Sequence, residues 1–161
     1  MNIEFHIGPR NCGKSVFVEQ KMENFNKLFY IATLPQFKIY TNTIISHRKR
    51  RSQKWTTIEL SFNLEEDIHN IKKQIYEFCP NCAILLDGIW TWYVFQNKIG
   101  NTKINALAFA DFIIEIVNSL NAKWFFVDIC NQTKTENDLY AIHNKIIEKL
   151  NINTIIDWRY E

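Results

Sequence analysis

Asn2-Ile3-Glu4-Phe5-His6-Ile7-Gly8-Pro9-Arg10-Asn11-Cys12-Gly13-Lys14-Ser15 decides the fold. Residues 2–7 alternate and then meet Gly8-Pro9, the pattern of a strand entering a turn. Gly8 to Ser15 satisfies G-x-x-x-x-G-K-[ST] at every fixed position, and residues 14–24 suit a helix. Strand, loop and helix in that order cradle phosphate. The glycines let successive backbone N–H groups face an anion, Lys14 brings a point charge to the β- and γ-phosphates, and the Ser15 hydroxyl can ligate Mg²⁺. The helix turns the positive end of its dipole toward the same place. Gly8, Pro9, Arg10, Asn11, Cys12, Gly13, Lys14 and Ser15 are therefore the expected contacts of a nucleoside triphosphate, with Mg²⁺ as cofactor. A glycine-containing turn that binds nothing is the competing reading, and the flanking strand and helix weigh against it.

Downstream, strands and helices alternate. Leu28-Phe29-Tyr30-Ile31-Ala32 and Ala83-Ile84-Leu85-Leu86-Asp87 are short apolar runs of the kind that make buried parallel strands. Residues 56–60, 124–129 and 154–156 read as further strands. Helices are expected over 40–52, 64–78, 103–120 and 136–150; Leu64, Ile68, Ile71, Ile75 and Phe78 form one apolar stripe in the second of these. This alternation predicts an α/β fold of the phosphate-loop NTPase kind, a mostly parallel sheet with helices on both faces, in one domain over 1–161. Ligands of such sheets bind at the carboxyl ends of the strands.

The bulk numbers exclude several classes. The 161 residues suit one domain, and a net charge of +2 is too small to argue for nucleic acid. No stretch reaches the ~18 apolar residues of a membrane span. Glu4 and the early phosphate loop argue against a signal peptide, so a cytoplasmic protein with free thiols at Cys12, Cys79, Cys82 and Cys130 is expected. Cys79-Pro-Asn-Cys82 has the spacing of a metal or redox pair, but no second pair accompanies it; two incidental thiols flanking a turn are the expectation.

A phosphate loop needs a second acid to hold the metal. Asp87, ending its apolar run, is the better candidate, with Asp128 after Phe125-Phe126-Val127 the runner-up; a strand-end acid capping a helix is the alternative for either. His47 precedes Arg48-Lys49-Arg50-Arg51. The cluster reads equally as an anion site and as the solvated, dipole-favoured end of a helix. Neighbouring cations should lower the pKa of His47, and a neutral imidazole is a nucleophile.

Several motifs together resemble the bifunctional adenosylcobinamide kinase and adenosylcobinamide-phosphate guanylyltransferase family of cobalamin synthesis. They are the loop Gly8 to Ser15, Tyr30-Ile31-Ala32-Thr33, Ile44-Ile45-Ser46-His47 with Arg48 to Arg51, Trp55-Thr56-Thr57-Ile58-Glu59, and Leu85-Leu86-Asp87. The resemblance covers roughly the first 90 residues. It implies that His47 takes GMP from GTP as a phosphoramidate, with Lys14 serving the kinase step. It puts Thr33, Arg48, Lys49, Arg50, Arg51 and Glu59 around the nucleotide, while the phosphate-loop reading puts Ser15 and Asp87 there on Mg²⁺. It further implies GTP or ATP as phosphate donor, a corrinoid acceptor and a homotrimer.

The second half departs from that pattern. Trp90 and Phe95 stand near the places of a Thr and an Asn, Asp128-Ile129-Cys130-Asn131 replaces a Ser/Thr-Asn-Glu-Val-Gly strand end, Asn144-Lys145 replaces an Asn-Gln pair, and Thr43 stands for an arginine. The expected function is the kinase and guanylyltransferase. The alternative is a nucleotide-binding or regulatory relative without corrinoid chemistry, to which the aromatic cluster Trp90, Trp92 and Tyr93 lends some weight unless those rings pack in the core.

Overall fold

The computed structural model describes residues 2–130 and 137–159. Asn131 and the first residue of the helix expected over 136–150 lie outside them. Six parallel strands form one sheet in the order β3-β2-β4-β5-β1-β6. They are β1 (Ile3–Gly8), β2 (Leu28–Ala32), β3 (Trp55–Glu59), β4 (Ala83–Asp87), β5 (Lys123–Ile129) and β6 (Thr154–Asp157). The helices are α1 (Lys14–Met22), α2 (Thr41–Arg50), α3 (Leu64–Ile75), α4 (Ile89–Ile99), α5 (Ala106–Ser119) and α6 (Asn137–Lys149). The chain is an α/β protein of the kind expected.

Side chains alternate across the strands and feed two cores. Phe5, Phe29, Ile31, Ile84, Leu86, Trp124 and Phe126 pack on one face with residues of α3, α4, α5 and α6, including Ile71, Trp92, Phe109 and Ile142. Leu28, Tyr30, Ala83, Leu85, Phe125 and Val127 pack on the other with Val18 and Met22 of α1. Burial of one such side chain stabilises by about 1.5–3 kcal/mol. Runs buried on both faces are what near-continuous apolar strands require.

Caps set several helix starts. Asn63 Oδ1 accepts from Glu66 N at 3.3 Å, and Asn105 Oδ1 accepts from Ala108 N at 2.9 Å. The latter places the start of α5 at Ala106, while the expectation began at 103. Helix α4 was not expected at all. Its first turn is held from a distance, since Trp90 N donates to Asp128 Oδ2 at 3.0 Å.

Register carries the site. Ala32 lies beside Glu59 and Asp87, Asp87 beside Val127, and Gly8 beside Ile129. The carboxyl ends of five strands thus bring the phosphate loop, both candidate acids and Glu59 to one edge of the sheet.

Candidate nucleotide site

A cavity of about 620 Å³ opens at that edge. The phosphate loop makes its floor. Gly13, with φ of 94°, adopts the left-handed conformation that glycine tolerates and caps α1 without a side-chain hydrogen bond. The first-turn N–H groups of α1 therefore lack a side-chain acceptor, the arrangement that suits an anion. The Lys14 ammonium donates to the carbonyls of Gly8 at 3.0 Å and Pro9 at 2.5 Å and lies 3.5 Å from Cys12 Sγ. The loop's own carbonyls thus hold the lysine centrally.

The two acids differ in how far they are used. Asp128 is saturated. Its Oδ2 accepts from Trp90 N and lies 2.8 Å from His143 Nε2, and its Oδ1 accepts from Ile129 N at 2.9 Å. This aspartate caps α4 and pins α6. Asp87 instead keeps a buried Oδ2 with no hydrogen-bond partner among the described residues. Burial pushes its carboxyl up to about 6; hydrogen bonding from the Ser15 hydroxyl opposes that, the charges of Glu19 and Asp128 add to it, and Lys14 opposes it. A buried carboxylate oxygen without a donor, beside a serine hydroxyl, fits a hard cation such as Mg²⁺. Thr33 is buried there too, its hydroxyl donating to the Asp87 carbonyl at 2.7 Å.

His47 stands on α2, opposite the loop. Burial first, then the charges of Arg50 and Arg51, lower its imidazole to about 4. The direction is the one expected from the basic run, but desolvation is the larger cause. Tyr30 Oη lies 3.5 Å from His47 Nδ1. Arg51 stacks its guanidinium 3.7 Å over the Tyr30 ring and donates from Nε to the His47 carbonyl at 3.0 Å. Arg50 Nε donates to Glu19 Oε2 at 3.0 Å, so the basic cluster is tied to α1. Arg48 and Gln36 hold Glu59 at 2.7 and 2.9 Å.

Of the residues singled out from sequence, Arg10 to Ser15, Thr33, His47, Arg48, Arg50, Arg51, Glu59 and Asp87 line the cavity. Gly8 and Pro9 contribute carbonyls beneath it. Lys49 is exposed and lies away from the lining, because three- and four-residue spacing puts Arg50 and Arg51 on the face of His47 and turns Lys49 outward. Thr43 and Asp128 reach the cavity as well. Tyr30, Gln36 and Thr91 line it without having been singled out, and Glu19 supports it from α1. Tyr30 had stood in the quoted Tyr-Ile-Ala-Thr motif; Glu19, Gln36 and Thr91 carried no signal of their own.

The aromatic cluster after Asp87 is core. Trp92 is fully buried edge-on against Phe109 and Phe112, at 5.7 and 5.4 Å between ring centres, and Trp90 packs on Tyr93 at 5.3 Å. Cys12, Cys79, Cys82 and Cys130 are free thiols. Cys79 and Cys82 lie 3.9 Å apart at sulfur, and burial raises both, Cys82 to about 12. Among the described residues no group of three or more His, Cys, Asp or Glu could hold a metal ion, and no helix is long and apolar enough to cross a membrane.

No curated protein matches the sequence. The profile of the cobinamide kinases / cobinamide phosphate guanyltransferases matches residues 5–139, which takes in the phosphate loop, the histidine helix and both acids. The match runs well past the first 90 residues, through β5 and into α6. The chain belongs to the cobinamide kinase / cobinamide phosphate guanyltransferase family.

Proposed function

We propose that this chain transfers GMP from GTP to a phosphorylated corrinoid through a guanylyl-His47 intermediate, and that its phosphate loop serves the kinase step that makes that phosphate. The observation that carries the reading is a neutral, half-buried imidazole flanked by Arg50 and Arg51 on the wall of a phosphate-loop cavity. The Nε2 lone pair of His47 attacks the α-phosphorus of GTP, forming a P–N bond. The bond from that phosphorus to the β-bridging oxygen breaks, and its electron pair leaves with pyrophosphate. The corrinoid phosphate then attacks the same phosphorus and returns the P–N pair to Nε2. Arg50 and Arg51 stabilise the charge that develops on the phosphoryl oxygens. Lys14 and the α1 amides hold the donor phosphates of the kinase step. Ser15 and Asp87 would hold Mg²⁺, which neutralises phosphate charge when bound.

Incubation with α-labelled GTP and Mg²⁺ tests the reading. Label should stay with the denatured protein, survive mild base and leave in acid, as a phosphoramidate does. Absence of label from a protein that binds GTP would overturn it.

A further inference from the structure

His47 has two ring nitrogens, and only the one without a proton can attack phosphorus. The structure gives one of them a partner. Nδ1 lies 3.5 Å from Tyr30 Oη, and no hydrogen bond from the described residues reaches Nε2. We infer that Tyr30 is a positioning residue for His47: its hydroxyl oxygen accepts the Nδ1 proton and so leaves the Nε2 lone pair for the nucleotide. The inference rests on the guanylyl-histidine reading and adds a residue to it.

The surroundings of Tyr30 hold a neutral hydroxyl in place against Nδ1. Tyr30 points to the α1 face of the sheet, where burial raises its phenol well above the ordinary value, so it stays neutral. The nearby carboxylates of Asp87 and Glu19 raise it further while Arg51 and Arg50 oppose them, so burial is what keeps the hydroxyl neutral. The ring is also fixed in place. Arg51 lies 3.7 Å over it, holds the His47 carbonyl at 3.0 Å, and comes within 3.9 Å of Glu19 Oε1. One guanidinium thus clamps both members of the pair. During transfer the Nδ1 proton stays on the ring, facing Tyr30 Oη, while Nε2 carries the phosphoryl group; when the P–N bond breaks, the same neutral tautomer returns.

The test reads the tautomer directly. Long-range ¹H–¹⁵N spectra of the full chain, labelled at its four histidines, distinguish Nδ1–H from Nε2–H imidazoles, and His47→Asn assigns the His47 signals. Wild type should show His47 as the Nδ1–H form at pH 7. Tyr30→Phe keeps the ring under Arg51 and deletes only the hydroxyl. It should move His47 toward the Nε2–H form and slow GMP incorporation at saturating GTP by at least ~10-fold. An Nε2–H His47 in wild type would overturn the inference even if the variant failed to fold. An unchanged tautomer in a folded Tyr30→Phe would overturn it too. The tautomer is read without nucleotide, so a protein that forms no GMP adduct would remove the guanylyl-histidine reading and still leave this one decided.

Discussion

Arg50 Nε donates to Glu19 Oε2 at 3.0 Å, which joins the helix that leaves the phosphate loop to the helix that carries His47. Glu19 is 4% exposed. Removing it leaves Arg50 and Arg51 without their carboxylate. Breaking a buried pair on one side costs about 3–5 kcal/mol, and Arg50 keeps enough contact with water to favour the lower end. Glu19→Ala should therefore lower the melting temperature by roughly 6–12 °C, at ~2–4 °C per kcal/mol for a domain of this size. A calorimetric scan within 2 °C or so of wild type would mean the pair adds no net stability.

Lys14→Ala should weaken triphosphate binding. Charge-assisted hydrogen bonds are worth about 1.5–3 kcal/mol each, so affinity should fall by at least ~10-fold. Titration calorimetry measures it, and an unchanged constant would separate the loop from nucleotide binding.

The two acids should part company. Asp128→Asn weakens the bonds to Trp90 N and His143 and should destabilise the protein by about 1–3 kcal/mol, read as a lower urea midpoint. Asp87→Asn removes a buried carboxylate oxygen that has no partner among the described residues, so it should leave the midpoint level or raised while weakening the Mg²⁺ dependence of nucleotide binding. The reverse pattern would put the metal on β5.

His47 gives a pH signature. Its folded pKa of about 4 lies below the ordinary 6.5, so between those values the folded chain binds fewer protons than the unfolded one. The stability tied to the neutral ring is complete above pH 6.5 and is lost as pH falls toward 4. His47→Asn should flatten that part of the fall in urea midpoint between pH 6.5 and 4; parallel curves for the two proteins would contradict the buried neutral imidazole.

The strands were legible because parallel, doubly covered strands read as apolar runs: Ala83–Asp87 was found with both its ends. Helix α4 was hidden for two physical reasons. It is apolar around most of its circumference, so residues 89–99 offer no clear stripe, and its first turn is held by Asp128, 38 residues away. The phosphate loop was legible because local backbone chemistry demands its residues in order. His47 and its arginines were legible as a cluster, yet their division of labour was not. That Arg51 stacks on Tyr30, Arg50 reaches Glu19 and Lys49 faces water depends on helix phase and on strands far away in sequence. Asp87 ranks above Asp128 from its place at the end of an apolar run, but that Asp128 is taken up by His143 and Trp90 was not legible, because no spacing rule supplies their places beside it.

Intact-mass spectrometry after incubation with GTP and Mg²⁺ tests the central claim most directly. Wild type should gain one GMP and release pyrophosphate, the adduct should be lost in acid, and His47→Asn should gain nothing while still binding GTP. A wild-type protein that binds GTP and keeps its unmodified mass, or a His47→Asn protein that gains GMP as wild type does, would contradict transfer through His47.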